Sequence, residues 1–291
     1  LVEEVLRANP RDNDALLLKG KLAAKQGAYE DAIVDFRSVL KDQPNSPEVL
    51  QLLASAHVSN GEMALARDTL MRGIENNPGD AGLRLGLARL LVRSEDTDGA
   101  LKQVEAVLSE DQNNEQALAL KYELLASKGD VSGMEAVAKL MQAGAPDKED
   151  GFIREARLRI AQKDYGAAMK ILDKILENNP ESVPALLAKS DALAAQEQFD
   201  AAIPVVEQLQ KVNPDSVVGY LRKGKLLEQQ GKVAAALGQY EQGLEKEPES
   251  TDILTALVNL EVKQSGAEQA KQRLMGMLVD DPNHRSANEF L

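Results

Sequence analysis

Along residues 13–46 the apolar positions fall on two helical faces separated by a glycine. Leu16, Leu17, Leu18 and Leu22 give the first stretch an apolar face; Tyr29, Ala32, Ile33, Phe36, Val39 and Leu40 recur at three-to-four spacing in the second. That spacing predicts two amphipathic α-helices, and Gly27 between them predicts the turn. Residues 217–250 repeat the pattern: Lys19-Gly20-Lys21-Leu22 returns as Lys223-Gly224-Lys225-Leu226, and Phe36 is answered by Tyr240.

The pattern is periodic over the whole chain. Pro10, Pro44, Pro78, Pro146, Pro180, Pro214, Pro248 and Pro282 stand at multiples of 34 residues, with Gln112 at the one missing rung. A fixed period of this size marks a stacked repeat, and a proline between units stops the helix before it. Ten residues after each rung the side chain is mostly small (Gly20, Ala54, Ala88, Ala156, Ser190, Gly224), with Tyr122 and Val258 as exceptions. Twenty-two residues after the rung stand Ala32, Ala66, Ala100, Ala168, Ala202, Ala236 and Ala270, with Met134 breaking the series. Small residues at these two positions suit antiparallel helices that cross closely. Two residues past the rung comes a helix-capping type, Asp12, Ser46, Asp80, Asn114, Ser182, Ser216 or Ser250, whose side-chain oxygen can accept from the first turn. Gly27, Gly61, Gly129 and Gly231 fall at the turn inside a unit.

These ladders predict an all-α fold: one array of eight helix-turn-helix units over 13–46, 47–80, 81–114, 115–148, 149–182, 183–216, 217–250 and 251–284. Partial units, 1–12 and 285–291, flank them, so the chain is expected to be a fragment of a longer protein. Unit 115–148 departs most from the pattern: Tyr122 and Met134 replace both small residues, while Ala138 replaces a bulky one. Compensated volume accounts for this; a local change of pitch, aided by Gly144, Ala145 and Pro146, is the alternative.

The proline period, the small residues at the eighth and twentieth unit positions, the bulky residue at the twenty-fourth and the closing proline resemble the tetratricopeptide repeat family across essentially the whole chain. One departure is that the family's frequent tryptophan at the fourth position is here Leu16, Leu50, Leu118, Leu186, Leu254, Phe152 or Tyr220. The resemblance implies a right-handed superhelical solenoid whose first helices line a concave groove, with unit positions 2, 5, 6, 9, 12 and 13 on the wall. Carried onto this chain, those positions hold an aliphatic stripe of Leu17, Leu85, Ile153, Leu187 and Leu221. They also hold basic heads at Lys21, Lys25, Arg89, Arg93, Arg154, Arg157, Arg222 and Lys225. Such a groove suits an extended or helical peptide with apolar anchors and acidic character; the alternative is helix packing and ordinary surface charge. The family's clamp for chaperone tails needs Lys at position 5 and Asn at position 9. Position 5 is never Lys here and only Asn259 is Asn at position 9, so that ligand is not expected.

Composition narrows the function classes. A net charge of −13 argues against nucleic acid and anionic membrane surfaces. No apolar run approaches the length of a membrane span. With no cysteine, disulfides and thiolate metal sites are excluded, and either the periplasm or the cytoplasm fits. Gly219-Tyr220-Leu221-Arg222-Lys223-Gly224-Lys225 spells most of a phosphate-binding loop, but Leu226 replaces the required Ser or Thr and the stretch lies inside a predicted helix. His57 and His284 are the only histidines, too far apart in sequence to share a metal or a triad, and His57 is expected to pack or to be partly solvated. Acidic runs such as Glu95-Asp96-Thr97-Asp98 fall in turns and read as solvated.

No catalytic residues, metal site or cofactor are predicted. The expected function is a non-catalytic protein–protein interaction scaffold that binds a protein or peptide partner in its groove. The Ala- and Leu-rich texture is similar to bacterial arrays that serve envelope scaffolds of exopolysaccharide or protein export. The alternatives are a self-assembling structural module and an accessory region of a larger enzyme or transport protein.

Overall fold

The computed structural model describes residues 2–290, and every regular element among them is helical. The chain forms two compact units, residues 1–146 and 147–291. In the first, a short α1 (Val2–Ala8) precedes the helix pairs α2–α3 (Asn13–Lys25, Tyr29–Asp42), α4–α5 (Pro47–Ser59, Met63–Asn76), α6–α7 (Ala81–Arg93, Thr97–Glu110) and α8–α9 (Glu115–Ser127, Val131–Gly144). In the second come α10–α11 (Asp150–Ala161, Tyr165–Asn178), α12–α13 (Val183–Ala195, Phe199–Val212), α14–α15 (Val217–Gln229, Val233–Lys246) and α16–α17 (Thr251–Ser265, Ala267–Asp280), closed by α18 (Arg285–Phe290). Within each compact unit every helix packs on the next, as the ladders predict. Residues 1 and 291, which the flanking partial units include, lie outside the described residues.

Helix crossings are matched by size. The eighth and twenty-fourth positions of a pair meet where its two helices cross. Gly20 lies under Phe36 and Gly224 under Tyr240, and a Cβ added at either glycine would fall 2.6 Å or 2.2 Å from the ring. Elsewhere Ala54 shares a buried cluster with Leu70, and Ala156 with Leu172. In α8–α9 the order is reversed: Tyr122 and Ala138 occupy the same cluster, the large side chain now on the first helix. The exceptional unit thus keeps its volume while exchanging which helix supplies it. At the twentieth position, Ala32, Ala66, Ala100, Ala168, Ala202 and Ala236 are fully buried.

The turn inside each pair needs one residue at positive φ. Gly27, Gly61, Gly129 and Gly231 supply it with φ between 68° and 81°. In the other pairs the same register position is Glu95, Lys163 or Glu197, at φ 57–63°, a conformation that costs a side-chain-bearing residue energy. The last pair differs again, since α16 runs longer and turns at Gly266 (φ 91°).

Capping follows the sequence reading in part. Asp12, Asp80, Asn114, Ser182 and Ser216 accept from the first turn of their helices. Ser46 and Ser250 make no such bond. At the start of α18 His284 takes the role, its Nδ1 accepting from the Ala287 amide at 3.2 Å. Asp96, Asp130 and Asp164 cap second helices, so an acidic run read as merely solvated contains a capping residue. His57 is buried, with Nδ1 2.6 Å from a Glu62 carboxylate oxygen. That bond, ahead of one from Asn60, holds the Glu62 carboxyl below its ordinary range.

Consecutive pairs are tied by ion pairs sixteen residues apart: Lys121–Glu105 (3.4 Å), Lys189–Asp173 (2.6 Å) and Lys223–Glu207 (2.9 Å). Each contributes little alone at a solvated surface. Their lysines occupy the seventh position of a first helix, next to the sixth and ninth positions assigned to the groove.

Candidate protein-binding face

The first helices α2, α4, α6 and α8 of one unit, and α10, α12, α14 and α16 of the other, carry the wall positions. Their spacing of four along a helix places positions 5, 9 and 13 on one face. What each position offers depends on burial and on which charges are already paired.

The aliphatic stripe is thinner than the sequence implies. Leu85 is 2% exposed and Ile153 4%, so both belong to the core and offer a partner no surface. Leu85 packs in the cluster that includes Leu83, Leu87 and Leu91, and Ile153 in one with Leu172 and Ile175. Leu17, Leu187 and Leu221 are half-buried and keep part of their surface. The reading also placed Leu18 and Leu22 on an apolar face of α2 without assigning either to the groove. They are 48% and 46% exposed, one helical turn apart. Leu18 falls on the sixth, wall, position, so the signal for it was in the repeat register.

The basic heads divide into two groups. Lys21 pairs with Glu48 at 2.7 Å, Arg154 with Asp150 at 3.1 Å, and Arg222 with Asp191. Their charges are largely met within the chain. Arg89 is exposed and reaches only the Gln116 amide oxygen, at 3.5 Å. Arg93, Arg157 and Lys225 are exposed and have no hydrogen-bond or ion-pair partner among the described residues. Lys25, at the thirteenth position of α2, is likewise exposed without a partner among the described residues, so the uncompensated positive charge sits on α2 and α6 in the first unit and on α10 and α14 in the second.

Between α4 and α6 the face dips into a notch of about 250 Å³, lined by Gln51, Ala54, Ser55 and Val58 on one side and Gly82, Gly86, Arg89 and Arg93 on the other, with Leu70 beneath. Gln51, another fifth-position residue, donates to the Asp80 carboxylate at 3.2 Å. The phosphate-loop look-alike lies wholly inside α14, where its interior amides serve the helix. Among the described residues no group of three or more His, Cys, Asp or Glu could hold a metal ion. No described helix is long and apolar enough to cross a membrane.

Comparison with known proteins agrees with this architecture. The family model of the tetratricopeptide repeat matches residues 23–81, 72–124 and 159–223, together more than half of the chain. A tetratricopeptide repeat protein from Parabacteroides merdae superimposes with a TM-score of 0.65 at 14% identity, over 85% of this chain and 98% of that one. Yeast Tom70 superimposes with a TM-score of 0.71 at 14% identity, over 96% of this chain and 63% of that one. A chain of the APC/C hetero-tetramer Cut9–Hcn1 gives 0.56 at 13% identity, over 99% of this chain and 57% of that one. This chain therefore spans less than two thirds of the Tom70 and Cut9–Hcn1 chains. No curated protein sequence matches it. At these identities the structural likeness concerns the fold. The family match, the 34-residue period and the size-matched crossings lead to one assignment: this chain belongs to the tetratricopeptide repeat family.

Proposed function

We propose that this chain is a non-catalytic scaffold that binds an extended or helical partner segment along the groove face of its first helices. The observation that carries the reading is the set of exposed, uncompensated cations on the first helices, Arg89 and Arg93 in one unit and Arg157 and Lys225 in the other, on a chain of net charge −13. Half-buried Leu17, Leu187 and Leu221 supply apolar anchors. A stack of repeats makes a long surface for such a segment and needs no enclosed pocket. The acidic balance supports a protein partner over nucleic acid. The setting we propose is a bacterial envelope export assembly, supported by the Ala- and Leu-rich texture of the repeats.

The test is affinity capture from source-organism extract with the parent chain and with the Arg89→Glu, Arg93→Glu, Arg157→Glu variant. The expected result is a partner retained by the parent and lost by the variant at unchanged helicity. A partner held equally by both would refute the groove reading. Self-association that persists on dilution, with no other partner captured, would favour a self-assembling module.

A further inference from the structure

Resting on the groove reading above, we propose that the α4–α6 notch is an anchoring pocket for an aliphatic side chain flanked by an acidic residue, on an extended partner segment. Three features of the first unit point there.

The notch exists because two wall positions on α6, one helical turn apart, are glycines. At Gly82 an added Cβ would fall 2.4 Å from the Gln51 side chain. At Gly86 it would fall 3.1 Å from Leu70, in the floor of the notch. Any larger residue at these positions takes up the space. Glycine lowers helix stability by about 1 kcal/mol relative to alanine at such sites, so α6 carries a cost at both.

The lining is mixed in the way a side-chain pocket requires. Half-buried Val58 forms its apolar wall over a floor of the buried Ala54, Leu70 and Leu90, and the whole notch, about 250 Å³, accommodates one aliphatic side chain. Arg89 and Arg93 stand at its rim, also one turn apart on α6.

Charge selects the neighbour of that side chain. Lys21, Arg154 and Arg222 are engaged by carboxylates of the chain itself, while Arg93 has no partner among the described residues and Arg89 only a 3.5 Å contact with an amide. Glu123, at the corresponding ninth position of α8, pairs with neither guanidinium. Two adjacent guanidiniums without a carboxylate, beside an apolar notch, are complementary to an Asp or Glu next to Leu, Ile or Val. Guanidinium groups bind carboxylates in a planar, two-bond geometry, which favours this over a neutral polar neighbour.

The experiment pans a displayed random twelve-residue peptide library against the full chain. Selected clones are then measured on three variants: Gly86→Leu, which fills the notch; Arg89→Glu with Arg93→Glu, which reverses the rim without touching the core; and Arg157→Glu with Lys225→Glu, which alters the other unit's cations. Circular dichroism checks that each is folded. The expected result is a consensus of one aliphatic residue beside Asp or Glu, weakened at least tenfold by each of the first two variants and unchanged by the third. Clones weakened only by the third variant would overturn the notch and leave the groove reading standing. Clones indifferent to all three would overturn both. Failure to enrich any clone, or a consensus without an acidic residue, would overturn the notch.

Discussion

The size-matched crossing of α14 and α15 can be tested by exchanging atoms across it. Gly224 lies against Tyr240, which is fully buried and donates through its hydroxyl to Glu228 at 3.3 Å. A methyl group at position 224 would sit 2.2 Å from the ring edge. Restoring van der Waals contact, about 3.5 Å between carbons, requires the ring, or the helix carrying it, to withdraw by ~1.3 Å. The ring is fully buried and its hydroxyl is tied to Glu228. Overpacking of this kind costs about 1–3 kcal/mol, opposed by about 1 kcal/mol gained from replacing glycine with alanine in a helix. We expect Gly224→Ala to destabilise the pair by about 0–2 kcal/mol. Tyr240→Leu removes ring atoms and the phenol bond, and should cost about 2–3 kcal/mol. The double variant recreates the Ala–Leu crossing this chain uses at Ala54–Leu70 and Ala156–Leu172. It should therefore be more stable than the sum of the singles by about 2 kcal/mol. A repeat array does not unfold as one cooperative block, so the assay is native-state hydrogen exchange of the α14 and α15 amides, which reads the local opening free energy. Additive singles, or a Gly224→Ala variant more protected than the parent, would refute the argument.

Three further outcomes follow from other positions. Glu95→Gly, Lys163→Gly and Glu197→Gly should each stabilise their pair by about 0.5–1 kcal/mol, read from hydrogen exchange of the flanking helices, because glycine relieves the positive φ at a smaller entropic cost. Ala100→Leu, at a fully buried crossing, should destabilise the α6–α7 pair by about 1–3 kcal/mol, and unchanged hydrogen-exchange protection of its amides would contradict the packing of that pair. The Glu62 carboxyl is held below its ordinary value of 4.5, so its bond to His57 stabilises the fold above that pH and the contribution is lost as pH falls through the lower, folded value. Stability of Glu62→Gln should accordingly depend less on pH below about 4.5 than that of the parent, which melting at several acidic pH values would reveal.

The sequence by itself determined the repeat, and through it the element order and the crossing positions. A helix pair that must cross closely limits the summed size of two side chains, and that limit is written into the residue types at Gly20 and Phe36 or Tyr122 and Ala138. The period, the turn glycines and most first-helix caps were legible for the same reason: each is a local requirement met by few residue types. The positive φ at Glu95, Lys163 and Glu197 was not legible, although the run that begins at Glu95 reads as a turn, because there the packed helices hold a conformation the residue itself disfavours. Only the tertiary structure decided which wall residues are available. Leu85 and Leu187 share a repeat position, yet the first is core and the second half-exposed, since burial depends on the neighbouring helix. Arg222 and Arg93 look alike in sequence, yet the first meets Asp191, 31 residues away, and the second meets nothing among the described residues. Ion pairing across helices depends on where side chains point after packing, and a one-dimensional pattern does not carry that information.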